Sequence, residues 1–272
     1  MFDRPIDLAA ARILISNDDG INSPGIKLLT KVARTLSRDV WVVAPEQEQS
    51  GASHSLTLSR PLRIRKLGPR RFAVDGTPTD CVLLAINAVL RDKPPTLVLS
   101  GVNAGANLGE DVTYSGTVAA AMEATLLDVP AIAFSQHYED RRAIPWQTAA
   151  RHAGEVVRRL TALPWPRHTL INVNFPAVAP DAVKGIVATR QGQRKIGDGI
   201  SERLDPRGRP YYWIGPLREE TPDMPGTDLH AVTEGKVSLS PIYLDLTNGP
   251  ALAELKKVFP RTTRRRRASC AS

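Results

Sequence analysis

The sequence predicts an α/β protein, with a doubly wound, mostly parallel sheet followed by a C-terminal antiparallel β-rich extension. Three observations lead there. Up to about residue 163, short apolar runs alternate with stretches at helical spacing. The apolar runs are continuous, as in strands buried on both faces. Beyond the run Asn172-Val173-Asn174-Phe175-Pro176, proline and glycine become dense and the alternation stops.

Residues 12–17 form the first buried strand. Ser23-Pro24 then opens a helix, with serine as N-cap and proline at the first position. Ile26, Leu29, Val32, Ala33 and Leu36 give that helix one apolar face. Residues 40–44 are a second strand ended by Pro45, and two β-rich pieces, 55–65 and 71–74, suit a hairpin. Thr77-Pro78-Thr79-Asp80 caps a helix running to about Leu90. A strand at 96–100 leads into a Gly/Asn-rich loop, and Tyr114-Ser115-Gly116-Thr117 into an Ala-rich helix ending near Asp128. A strand at 131–135 and a helix at 147–163 close this half. In the second half, 186–189, 211–214 and 236–246 read as strands of the extension.

Composition restricts the function classes. Apolar residues make up 42% of the chain and charged residues 24%, ordinary for a globular protein. No apolar run approaches the roughly 20 residues of a membrane span, so no membrane partner is expected. The first residues, with Asp3, Arg4 and Asp7, lack the apolar region of a signal peptide; 1–11 reads as a disordered extension. The only cysteines are Cys81 and Cys270, which fits a cytoplasmic protein without disulfides. Most of the net charge of +8 comes from 251–272, where Lys256, Lys257, Arg261 and Arg264 to Arg267 face Glu254 alone. Such a basic tail suggests nucleic-acid contact, but a solvated end is the stronger expectation for so short a run.

Four loops after predicted strands are rich in oxygen ligands: 17–20, 45–53, 100–109 and 114–117. In a parallel sheet such loops share one edge and can converge. The adjacent aspartates Asp18 and Asp19 need a common positive partner, and a divalent cation is the simplest. Carboxylate, hydroxyl and amide oxygens without Cys or His point to a hard ion such as Mg²⁺ or Mn²⁺. A hard ion suits phosphate chemistry. The Gly/Asn loop and the helix start at Ser115-Gly116-Thr117 supply backbone N–H groups and hydroxyls for phosphate. Each feature has a plainer reading: Asp-Asp-Gly is a common turn, and Ser115 can be only an N-cap. His54, His137, His152 and His168 lack metal spacing and read as surface or structural. Asp228 and His230 either orient a catalytic group or are a helix cap and a partly buried histidine. No G-x-G-x-x-G follows the first strand, and no phosphate-binding G-x-x-x-x-G-K-[ST] or G-x-S-x-G elbow occurs.

With Ile15-Ser16-Asn17-Asp18-Asp19-Gly20, Pro45 through Ser50-Gly51-Ala52-Ser53-His54, Gly76-Thr77-Pro78-Thr79-Asp80, Ser100-Gly101-Val102-Asn103-Ala104-Gly105 and Tyr114-Ser115-Gly116-Thr117 in this order, the chain resembles the SurE survival-protein nucleotidases over about residues 12–250. The resemblance implies one domain over 12–250, divided into a Rossmann-like core at 12–175 and a β-rich oligomerisation extension at 176–250. The segment 251–272 follows. It implies that one divalent cation per subunit, Mg²⁺ or Mn²⁺, is held by Asp18, Asp19, Ser50 and Asn103. Substrate phosphate would meet Asn107, Ser115, Gly116 and Thr117, with Asp18, Asp19 and Ser115 catalytic. The implied activity is hydrolysis of nucleoside 5′-monophosphates, and of 3′-monophosphates, by a homodimer or homotetramer. The alternative from the residues alone is a nucleotide or metal sensor without turnover.

Overall fold

The computed structural model describes residues 5–194, 199–215 and 224–259. The strands are β1 (Arg12–Ser16), β2 (Asp39–Pro45), β3 (Ile64–Gly68), β4 (Arg71–Val74), β5 (Leu97–Ala104), β6 (Ala131–Gln136), β7 (Thr169–Phe175), β8 (Ile186–Ala188), β9 (Gly199–Leu204), β10 (Pro210–Gly215) and β11 (Val237–Tyr243). Nine of them form one sheet in the order β3-β4-β2-β1-β5-β6-β7-β11-β8, and β9 and β10 pair separately as an antiparallel ribbon. The run from β4 to β7 is parallel throughout. From β1 the chain winds outward through β2 and β4, then returns to β1's other side and winds through β5, β6 and β7. The switch point therefore lies between β1 and β5.

Along β1, Ile13 and Ile15 enter one apolar core and Leu14 the other, so the strand is apolar at every position. Helices α1 (Pro24–Arg34) and α4 (Trp146–Thr161) cover the first face, and α2 (Pro78–Leu84) and α3 (Gly116–Leu126) the second. Ser23 caps α1 by accepting from Ile26 N at 3.4 Å, with Pro24 next in the chain. Thr77 and Asp80 form the capping box of α2, whose last turns widen into a π-helix at Ala85–Val89. Two short helices complete the chain, α5 (Asp228–Thr233) and α6 (Gly249–Val258).

Several boundaries differ from the sequence expectations. The predicted strand at 55–65 begins only at Ile64. Asp80 captures the earlier residues, accepting from Thr57 N at 3.0 Å and Thr57 Oγ1 at 2.6 Å, and this replaces a β-ladder. Strand β9 and helix α6 were not anticipated, although Asn248 and Pro250 give α6 an ordinary start. The extension predicted at 1–11 is docked from residue 5: Ile6 and Leu8 pack on the core, and Ile6 N donates to Thr161 O at 2.9 Å. Residues 1–4 and the arginine tail lie outside the described residues. Among the described residues, no helix is long and apolar enough to cross a membrane.

Candidate active site

Asp18 and Asp19 follow β1 after the single residue Asn17, in the crevice beside the switch point. All four oxygen-rich loops meet them. The second loop binds Asp18 through its backbone, Gln49 N donating to Asp18 O at 2.8 Å. The third binds Asp19, Ala104 N donating to Asp19 Oδ2 at 3.2 Å. The fourth binds the Asp18 carboxylate itself, through a very short hydrogen bond from Thr117 Oγ1 to Asp18 Oδ1. The second and fourth loops are tied to each other by Ser53 N, which donates to Tyr114 O at 3.3 Å.

Close packing fixes the Asp18 side chain. A Cβ at Gly116 would stand 2.7 Å from Asp18 Cβ and 3.0 Å from Asp18 Oδ2, so only glycine lets α3 begin against this carboxylate. Asn103 sits at the end of β5, where the pairing with β6 shifts register between Ser100 and Asn103. Such a bulge re-aims a side chain at a strand's end. Its Nδ2 donates to Gly105 O at 3.0 Å. Ser50 is exposed and its Oγ donates to Glu48 Oε1 at 2.8 Å.

The electrostatics of the pair are unfavourable as they stand. Asp18 is 4% exposed, and burial raises its carboxyl above the usual range. Asp19 is pushed up to about 7, first by burial and then by the charge of Asp18, while the Ala104 N–H pulls it back in part. Glu48 adds to the repulsion on both, and Arg141 alone among the contributors to Asp19 supplies positive charge. Buried carboxylates this close need a cation or a proton. Two carboxylates among loops that carry hydroxyl and amide side chains are donor types suited to a hard divalent ion. Among the described residues, no cluster of three or more Asp, Glu, His or Cys side chains is placed to hold a metal.

Ser115 is the N-cap of α3, its Oγ accepting from Val118 N at 3.1 Å. The cap uses a lone pair and leaves the hydroxyl proton for another acceptor, so capping and anion binding are compatible. Asn107 lies deeper, in a buried amide network: its N–H donates to Asn174 Oδ1 at 2.8 Å and its Nδ2 to Ser135 Oγ at 2.7 Å. Asp228 is fully buried and accepts from Gly109 N, Gly192 N and Leu229 N, which makes it a clamp on the third loop.

A cleft of about 490 Å³ opens beside Asp19, walled by Glu48, Ala104, Arg141, Ile144 and Trp146. The sequence reading did not single out Glu48, Arg141 or Trp146. The latter two come from the segment after β6, whose return to Asp19 depends on sheet order rather than on any local motif. A larger groove, about 650 Å³, lies against α1 and touches neither aspartate. Of the two, only the smaller cleft is lined by Asp19.

Fold and site together define a doubly wound α/β protein with an acidic, oxygen-lined ligand centre at its switch point. Within that class the chain belongs to the SurE family: the family model described as "Survival protein SurE" matches residues 13–198. It is 60% identical over 253 residues to the "5'-nucleotidase SurE" of Paramagnetospirillum magneticum, covering 93% of this chain and 97% of that protein. It is 55% identical to the protein of the same name from Rhodospirillum rubrum, covering 95% of this chain and 100% of the relative. The crystal structure of SurE protein from Aquifex aeolicus superposes with a TM-score of 0.81 at 43% identity, over 91% of this chain and 99% of that one.

Proposed function

We infer that this chain is a 5′-nucleotidase, a divalent-metal-dependent phosphomonoesterase that converts nucleoside 5′-monophosphates to nucleoside and phosphate. The convergence of four loops on Asp18 and Asp19 carries the reading, and near-full-length relatives named as 5′-nucleotidases support it. Asp18, Asp19, Ser50 and Asn103 would hold one Mg²⁺ or Mn²⁺ ion. The ion would supply charge stabilisation at the phosphoryl group and acidify water.

The chain's own groups do the rest. The start of α3 binds the phosphate, with the Ser115 hydroxyl proton and the N–H groups of Gly116 and Thr117 stabilising its oxygens as charge shifts. Asp18, held by Thr117 and pressed against Gly116, is the carboxylate nearest that phosphate. It orients the attacking water and takes its proton. Asn107 anchors the loop opposite. These groups read a terminal phosphate rather than a base, so 3′-monophosphates also fit. The exposed Ile200, Leu204, Trp213 and Ile214 of the β9–β10 ribbon support assembly into a homodimer or homotetramer through 176–250. The cysteine content suits a cytoplasmic setting.

Released phosphate from a nucleotide panel, assayed with Mg²⁺ and Mn²⁺, tests the reading. AMP should be hydrolysed faster than ATP, and EDTA should abolish both activities. Binding of AMP without phosphate release under every metal would show a sensor instead. Ser115→Ala gives a finer test. It should cost about 1 kcal/mol of stability through the lost cap. It should also lower kcat about ten-fold, the equivalent of one good hydrogen bond in the transition state. A lowered melting temperature with unchanged kcat and KM would leave Ser115 as a cap alone.

A further inference from the structure

The larger groove is walled by positive charge. On α1, Lys27, Lys31 and Arg34 recur at helical spacing along one side, Arg38 follows, and Arg70 of the β3–β4 turn and Arg71 at the start of β4 face them. None of the lining residues is acidic. Among the described residues, Lys27, Lys31, Arg34 and Arg38 have no carboxylate within ion-pairing distance. Arg70 lies 3.3 Å from Asp39 Oδ1 and is partly neutralised. Arg71 is half-buried and held in place by neutral acceptors, donating to Ile21 O at 2.9 Å and to Asn22 Oδ1 at 2.8 Å. Its charge is thus positioned but not compensated. Like charges one helical turn apart repel each other. Here Lys27, Lys31, Arg34 and Arg38, all exposed, border one cavity of ligand size.

We propose that this groove is a second anion site, distinct from the Asp18/Asp19 centre, that binds a free, multiply phosphorylated small molecule of the triphosphate class. One phosphate would engage two or three of these cations. A linear chain of phosphates matches a row of cations spaced by about one helical turn, roughly 5–6 Å. Guanidinium forks suit phosphate oxygens, and phosphate carries more charge per volume than a carboxylate chain. The floor, made by Ile26, Val40 and Val42, is almost fully covered by neighbouring atoms. It offers little surface to a nucleobase, so recognition rests on the phosphates. None of the proposed catalytic or metal-holding residues lines the groove, so the assignment does not depend on the reading of that centre.

Inorganic triphosphate is the probe, titrated calorimetrically into EDTA-treated full-length protein. Affinity should fall at least ten-fold in the Lys27→Gln/Lys31→Gln/Arg34→Gln variant. It should be unchanged in Arg203→Gln/Arg207→Gln, which removes exposed charge elsewhere. Added KCl should weaken wild-type binding. Hydrogen exchange on the wild-type protein needs no variant: triphosphate should slow exchange at 24–38 and 68–71, whether or not 114–118 is slowed as well. Equal affinity in a triple variant that melts like wild type, an equal loss in the control variant, or protection confined to 114–118 would each overturn the proposal. Vesicles containing phosphatidic acid separate the two sources of phosphate. Sedimentation of wild type but not the triple variant, with no binding of free triphosphate, would assign the groove to a lipid headgroup and overturn the free-ligand reading.

Discussion

Asp19→Asn is expected to raise the Kd for Mn²⁺ by about 100-fold, the equivalent of about 2.7 kcal/mol. Asp18 and Asp19 carry the only formal negative charges among the four proposed ligands, so the substitution removes half of that charge while keeping the side chain's shape. Asparagine can still accept from Ala104 N, so the third loop should stay in place. Phosphate release at subsaturating metal should fall in step. The metal-free protein should respond in the opposite sense. Its Asp19 carboxyl is raised from 3.8 to about 7 in the fold. Stability from this group is therefore full below about pH 4 and lost as pH rises through about 7. The asparagine variant has no such loss. In EDTA it should melt no lower than wild type at pH 8, and its advantage should shrink at pH 5. Titration calorimetry and melting curves at the two pH values check both halves. Wild-type Mn²⁺ affinity in the variant would remove Asp19 from the ligand set.

Gly25→Ala should be the most damaging single methyl group in the fold. Gly25 lies in the first turn of α1, flush against β5, and its Cβ would stand 1.8 Å from Val102 O and 2.9 Å from Val102 C. Backbone cannot rotate away as a side chain can, so the helix or the strand must move. We expect a loss of about 3 kcal/mol, the upper range for overpacking. Because Val102 precedes Asn103, metal affinity should weaken as well. Urea unfolding measures the first effect and calorimetry the second. Gly249→Ala is the matched control: its Cβ would meet nothing within 4 Å, and its stability should change by less than about 0.5 kcal/mol. Equal stability of the two variants would show that the helix and strand separate readily at this contact.

The parallel half of the molecule was legible because its signals are local. Ser23-Pro24 and the Thr77/Asp80 box announce helix starts, and the apolar runs of β1, β5 and β6 announce strands buried on both faces. Ligand type and strand-end position marked the adjacent aspartates Asp18 and Asp19 and the loop 100–109, while Asn103 within that loop was named by the resemblance. What escaped depends on distant partners. The residues before Ile64 have strand-like composition, but the Asp80 carboxylate takes the Thr57 N–H and hydroxyl. Strand β9 was missed because Ser201, Glu202 and Arg203 are ordinary surface residues, and only pairing with β10 makes them a strand. Arg141 and Trp146 reach the cleft through sheet order, which no window of sequence displays.

The position of β1 in the sheet has a temporal consequence. This strand carries the aspartates, yet its neighbours are β2, about one helix later, and β5, which pairs Ile13 with Leu97. During synthesis the first acidic loop leaves the ribosome long before Asn103, Ser115 and Thr117 exist. A nascent chain or a truncated copy ending before β5 thus holds two carboxylates and no cradle. On the proposed site, hydrolytic competence would therefore wait until the chain closes across the switch point, and half-made copies would not consume nucleotides.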